Sequence, residues 1–361
     1  MKTLPRTALR SQQILLVLSA TSVALALTAC GGGGGGAPAV DPNAGGYATP
    51  GGSGIYATPS TPTTVAVVTV APAAPVGYNA EQTAAYNTIN TARNACGFGY
   101  LQQNTHLDTG SLNHVIYMVD NNAPGHYETA GLPGYTGVYP GDRMTAAGYT
   151  NLNGGGEVAA MQSGSSKVGF GALFTRGLLG APYHLMGMMQ GNREIGISVD
   201  TGGPIASGSE LVYAGANPAV WIVEDMAAST TLEPQVQASS TVLTYPCQGV
   251  TGTVWETTTE SPNPVPARNL AAYPIGQPVF VQVLAGHTLV ISSATMTGPT
   301  GSVALLPTMT PANDPNSELQ ANQALIIPNA PLSPTTVYTV NITGTNSGTP
   351  FTTNFTFTTG A

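Results

Sequence analysis

Gly125-His126-Tyr127-Glu128, Gly154-Gly155-Gly156-Glu157-Val158 and Ala181-Pro182-Tyr183-His184-Leu185 all lie within residues 107–199, and their order decides how the chain is read. Three of the chain's five histidines fall in this stretch, with Glu128 and Glu157 among them. Only 7% of the residues are charged, so the grouping stands out from its background. Two neutral imidazoles with one or two carboxylates make a Zn²⁺ site with an open position. Without metal, a carboxylate beside a histidine favours the imidazolium and makes the pair sensitive to pH.

The flanking residues supply the scaffold. Asn79 is placed to cap a helix, with Gln82 three residues on as in a capping box. Tyr86, Ile89, Arg93 and Cys96 recur at helical spacing, and Gly97-Phe98-Gly99 stops the run. A second helix is expected from Asp108, with Leu112, Val115, Ile116 and Val119 on one face, ending before Asn121-Asn122-Ala123-Pro124. A short helix is expected within 137–148. Another is expected over 168–179, interrupted by Gly169, Gly171 and Gly177. Residues 194–199 read as a strand, with 211–213 and 219–223 as partners. Helices first and strands after indicate an α+β arrangement.

These pieces, in this order, resemble the CAP superfamily, or SCP domain (cysteine-rich secretory proteins, antigen 5, pathogenesis-related 1). Bacterial members open with a helix carrying N-x-x-R-x-x-x-G, matched here by Asn90, Arg93 and Gly97. A histidine in a loop follows, here His126, then an R-x-x-x-x-G-Y element, here Arg143 to Gly148-Tyr149. A G-E-N-like turn comes next, here Gly156-Glu157-Val158. Last is a P-G-H-R-like element, here Ala181-Pro182-Tyr183-His184-Leu185, with Glu194-Ile195-Gly196-Ile197-Ser198 beyond it. The resemblance covers about 110 residues. It implies a CAP-type α-β-α sandwich and a cleft with two histidines and two acidic residues. His126, Glu157 and His184 match by position. The second acidic position is occupied by Phe174-Thr175-Arg176-Gly177, which holds no carboxylate. Glu128 is the candidate substitute, because residues i and i+2 of an extended segment share a face with His126. The expected metal set is therefore His126, Glu157, His184 and Glu128, for Zn²⁺ or another divalent cation. His114 reads as structural or rim, and His106 and His287 as surface or strand residues. Arg143 is either a solvent partner of Asp142 or a buried group beside the cleft.

The N-terminus carries Lys2, Arg6 and Arg10 ahead of an apolar run at 14–27, too short to span a membrane comfortably. Leu27-Thr28-Ala29-Cys30 resembles the lipobox of bacterial lipoproteins, where the cysteine becomes the acylated N-terminus. Acyl chains contribute about 0.8 kcal/mol per buried methylene. In such lipoproteins an Asp after the cysteine retains the protein at the inner membrane. Gly31 stands there, which favours the outer membrane or cell surface as the address within the cell envelope. An ordinary secretory signal with an incidental cysteine is the alternative. Residues 31–36 are all glycine, and a Pro/Thr/Ala/Gly-rich stretch runs to about 75, read as a tether in which 65–70 has the option of pairing as a strand.

With Cys30 assigned to lipidation, Cys96 and Cys247 remain as an even pair in an oxidising compartment, and a disulfide between them is expected. Two free thiols are the alternative. Beyond the leader the chain has 6 basic and 17 acidic groups, a net of −11. That excludes a nucleic-acid footprint or a basic membrane patch, so membrane contact is expected through the lipid anchor only. There is no G-x-S-x-G elbow and no H-E-x-x-H.

From about 265 the pattern changes to period two. Val279, Val281 and Val283 alternate with Phe280 and Gln282, and Tyr338, Val340 and Ile342 repeat the alternation. About seven short strands between Gly/Pro turns indicate a β-sandwich, and the ending resembles the Ig-like modules of secreted bacterial proteins. The expected organisation is a leader at 1–29, the tether at 30–75, the CAP/SCP unit at 76–250, a connector at 251–264 and an all-β Ig-like sandwich at 265–361. The expected role is non-enzymatic binding, of a divalent metal and of a lipid, sterol or small hydrophobic ligand, or of a partner at the cell surface or envelope. A metal-dependent hydrolase of peptides or cell envelope, and a structural adhesin, are the competing readings.

Overall fold

The structure, a computed structural model, describes residues 28–29, 66–163, 169–200, 219–229 and 234–361. Cys30, the glycine run and the strand expected at 211–213 lie outside them. The described residues form a mixed α+β protein with five helices and three sheets, in which strands predominate. None of these helices is long and apolar enough to cross a membrane.

The first sheet contains β1 (Thr28–Ala29), β2 (Gln102–Gln103), β3 (Leu152–Ser163), β4 (Glu194–Asp200) and β5 (Ala219–Ser229), in the order β1-β3-β5-β4-β2. Helix α1 (Ala80–Ala95) opens on the expected capping box: Asn79 Oδ1 accepts from Gln82 N at 2.9 Å, and Gln82 Oε1 accepts from Asn79 N at 3.1 Å. Its buried Ala85, Tyr86 and Ile89 pack in one core with Ile195, Ile197, Val158, Ala160 and Ile222, and with residues of α4 (Phe170–Leu178) and α5 (Pro182–Met188). The intervening sheet residues face the other way. Ala159 and Val223 join Val115 and Met118 of α2 (Thr105–Asn121). The sheet is thus covered by helices on both faces.

Two glycines permit the close approaches this layering needs. A Cβ at Gly196 would lie 2.0 Å from the Leu107 carbonyl carbon, so α2 can sit against β4 only over a bare backbone. A Cβ at Gly155 would lie 2.6 Å from Met226 O. Gly156-Glu157-Val158, expected as a turn, is part of β3 and pairs with Met226, Asp225 and Glu224 of β5. Helix α2 also begins earlier than expected, since the Asn104 side chain accepts from His106 N at 2.9 Å and caps it there. Its buried face is rotated: Ser111, His114 and Met118 are buried while Leu112 and Ile116 are half-buried. The P-G-H-R-like element around His184 forms helix α5. Pro182 at its first turn suits helix initiation, where no N–H is required.

The remaining strands form two further sheets. One, in the order β10-β9-β12-β13-β7, contains β7 (Thr251–Thr253), β9 (Leu289–Gly298), β10 (Gly301–Ser302), β12 (Val337–Asn346) and β13 (Thr349–Thr359). The other, β11-β8-β6, contains β6 (Leu243–Tyr245), β8 (Val279–Gln282) and β11 (Gln323–Ile326). The pairings cross the boundary drawn at 250 and the connector drawn at 251–264: β6 pairs with β8, and β7 pairs in parallel with β13. β7 has only three residues, too few for periodicity to reveal. In β8, Val279 and Val281 point into the core shared with Val340 and Phe357, while Phe280 points into the core of the first unit and stacks on Phe98 at 6.3 Å. β11 behaves alike, with Ala324 and Ile326 on one side and Leu325 on the other. The three-stranded sheet is therefore buried on both faces and joins the two units.

At the tether's end, Ala66 bridges Val236, and Val68 N donates to Gln235 Oε1 at 2.7 Å. Cys96, which caps α1, is bonded to Cys247 in the loop between β6 and β7. The bond closes a loop with a sequence separation of 151 residues and ties one unit to the other. In the chain-entropy treatment closure of that length contributes ~4–5 kcal/mol. Reduction, or the double change Cys96→Ser/Cys247→Ser, should lower the unfolding free energy by about that amount. Urea denaturation with and without reductant measures it, and an unchanged midpoint refutes it.

Candidate functional site

The expected residues converge, but not as four ligands around one point. His126, in the loop after α2, and His184, on α5, bring their rings to 6.0 Å between centroids. Both are buried, at 4% and 1% exposure. Each turns Nδ1 to a carboxylate: His126 to Glu157 Oε1 at 2.9 Å, His184 to Glu260 Oε2 at 3.0 Å. A carboxylate oxygen accepts, so each ring carries its proton on Nδ1. Each Nε2 is buried and meets no hydrogen-bonding partner among the described residues.

Glu157 is held from both sides. Its Oε2 accepts from Arg143 Nη2 at 2.6 Å, while Arg143 Nη1 donates to the His126 carbonyl at 3.0 Å. Arg143 has no exposed surface, so of its two readings the buried role is the one realised. It lies on α3 (Pro140–Ala146), where Asp142 Oδ2 accepts from Tyr139 N at 3.0 Å and fixes the helix start. Asp142 is therefore engaged in capping and does not pair with Arg143. Burial alone would raise the Glu157 carboxyl. The Arg143 guanidinium, His114 and the His126 bond outweigh it and hold the group well below the ordinary carboxylate range. His126 shifts downward: burial dominates over the raising influence of Glu157, and the ring is neutral at pH 7.

Glu128 does not join the pair. Its Oε1 accepts from His114 Nδ1 at 2.9 Å, and its Oε2 accepts from Thr136 N at 2.6 Å and Gly137 N at 3.3 Å. It pins the 125–138 loop to α2, and the shared-face argument does not apply because 126–128 is not a strand. His114 is buried, with Nε2 2.8 Å from the Gly125 carbonyl. His106 is exposed beside the Ala147 carbonyl, and His287 lies 2.7 Å from Asn346 Oδ1, both away from the site. No group of three or more His, Cys, Asp or Glu side chains is arranged to share an ion among the described residues. What converges is two imidazoles, with the carboxylates behind them.

Three acidic residues escaped the sequence reading. Glu260 sits in Glu260-Ser261-Pro262-Asn263-Pro264, a stretch that reads only as a stiff connector, and nothing local marks it. Asp225 faces Ser111 Oγ at 3.2 Å, and burial together with the Glu157 charge pushes its carboxyl well above the usual value. Glu224 points to the opposite face of β5, where Oε1 accepts from Thr175 Oγ1 at 2.6 Å. Both lie in 219–229, where two adjacent acids in an apolar strand were the available signal.

No family model matches this chain, and no curated protein matches its sequence.

Burial pushes the Glu224 carboxyl up to about 7 from an ordinary 4.5. The folded state then holds a proton that the unfolded state has released between those values. Stability falls as pH rises through this window and is fully present only below it. The total is roughly 3 kcal/mol. Glu224→Gln should be progressively more stable relative to wild type from pH 4.5 to 8, by about that amount. Parallel denaturation curves at each pH test this, and a difference that is flat with pH refutes it.

Proposed function

We propose that this chain is an extracytoplasmic, lipid-anchored protein of the CAP (SCP) kind, with an Ig-like second unit, and that its enclosed histidine pair binds a divalent metal ion. One observation carries the metal reading: two buried Nε2 atoms without partners, on neighbouring rings whose Nδ1 atoms are both fixed by carboxylates. A carboxylate on the far nitrogen sets the tautomer, aims the bare nitrogen and raises its basicity, as the outer shell of a histidine-ligated metal does. The residues present fit such an ion. His126 Nε2 and His184 Nε2 would hold it, and its other positions would be open to water or to a ligand's donor atoms. When bound, the ion supplies a Lewis-acidic point of attachment. The chain's own contribution is orientation: Arg143 and Glu157 fix one ring, Glu260 fixes the other, and burial excludes bulk water.

The CAP reading is supported by the motif order and by a sheet covered with helices on both faces. The Ig-like reading is supported by two stacked sheets with a shared apolar core. An oxidising location is supported by the Cys96–Cys247 bond. Binding is favoured over hydrolysis because both oxygens of Glu157, and both of Glu260, are already engaged. Neither is placed to take a proton from water.

Titration of the metal-free protein with Zn²⁺ in a calorimeter should give about one equivalent bound, abolished by His126→Ala or by His184→Ala. Absence of binding to the wild type, or variants that bind as well as it does, rejects the metal site.

A further inference from the structure

The second unit reaches into the first at α5. Glu260, which follows β7, accepts from Tyr183 N with Oε1 at 3.0 Å and from His184 Nδ1 with Oε2 at 3.0 Å. One carboxylate thus holds both the backbone of the helix's first turn and the ring that helix presents. The next contact repeats the pattern. The Tyr183 hydroxyl donates to Asp314, and Asn316 Nδ2 donates back to it at 3.0 Å. Asp314 is fixed in turn, its Oδ2 accepting from Glu318 N at 2.7 Å and Leu319 N at 2.9 Å. Thr257 Oγ1 donates to Gly180 O at 2.6 Å, and Gln277 Nε2 to Leu179 O at 2.9 Å, just ahead of the helix. Helix α5 has seven residues, too few to hold a direction by its own hydrogen bonds. Its orientation, and with it the aim of His184, is set from outside.

We propose that Glu260 is the positioning residue of His184, so that the second unit is a structural part of the histidine site and not a spacer beside it. This rests on the reading of that site as a metal site, but it makes a claim that does not depend on metal. With the carboxylate present, the His184 proton is confined to Nδ1 and Nε2 is bare. With the carboxylate removed, nothing on the far side of the ring requires that tautomer, and Nε2 can carry the proton. An Nε2–H cannot ligate a metal, and the helix start loses its acceptor at the same time.

The experiment uses the full chain, ¹⁵N-labelled at histidine, in wild-type, Glu260→Ala and Glu260→Gln forms. Imidazole nitrogen shifts report the tautomer at neutral pH without metal, with His184 assigned by its loss in His184→Ala. The wild type should show Nδ1–H at His184. Glu260→Ala should move the proton largely to Nε2 and weaken Zn²⁺ binding by about 10–100-fold. Glu260→Gln, the same shape with one acceptor oxygen in place of two, should fall between, and serves if the alanine variant does not fold. A merely structural Glu260 would lower the melting temperature and leave the tautomer alone. Unchanged His184 nitrogen shifts in a folded Glu260 variant overturn the proposal. A wild type that binds no Zn²⁺ overturns the metal reading instead, and the tautomer comparison still decides this one.

Discussion

Arg143 brings a full positive charge to a position with no exposed surface. Moving such an ion out of water costs several kcal/mol even after relaxation, and only close, well-directed partners offset it. The carboxylate of Glu157 meets it at 2.6 Å, and the carbonyl of His126 takes a second donor. Those two contacts fix the distance between α3, β3 and the loop after α2. They also determine the charge states nearby. With Arg143 charged, Glu157 stays ionised, and burial together with that neighbouring charge pushes Asp225 towards the neutral acid. An ionised Glu157 in turn confines the His126 proton to Nδ1. The bare Nε2 of His126 thus follows from a guanidinium that does not touch it.

Arg93, the other fully buried arginine, works by a different device. It is surrounded by backbone carbonyls, of Phe98, Gly99, Met188 and Gln190, at 2.6–2.9 Å. Two of these belong to the last turn of α5 and the residues after it. A cation at the carboxyl end of a helix and an anion at its amino end both oppose the helix dipole favourably. Arg93 supplies the first and Glu260 the second. The short helix that carries His184 is therefore clamped at both ends by side chains from other parts of the chain, one from each unit.

Much of this was legible locally. The Asn79–Gln82 box, the helical spacing from Tyr86 to Arg93 and the period-two runs of β8 and β12 follow from rules that act over a few residues. His126, Glu157 and His184 were singled out by the order of their motifs, and the structure sets His126 against Glu157 at 2.9 Å and its ring 6.0 Å from that of His184. What was not legible depends on contacts made at long range. Glu128 and His126 are two residues apart, and sharing a face held only if that segment were a strand. The loop turns, and Glu128 meets His114 instead. Glu260 lies 76 residues from His184 in a proline-rich stretch with no periodicity. Phe280 alternates with valines as in any half-buried strand, yet its side faces a second core and not solvent. Alternation shows that two faces differ, but not that the polar-looking face is wet.

A spacer domain touches its neighbour through a small polar surface and moves relative to it. Here β8 and β11 expose neither face, the Phe98–Phe280 stack crosses the boundary, and a disulfide spans it. Separating the units would uncover an apolar sheet face and strip His184 of its acceptor in the same motion. Site geometry and inter-unit packing are thus one equilibrium. A histidine pair held this way owes its geometry to side chains from both units at once.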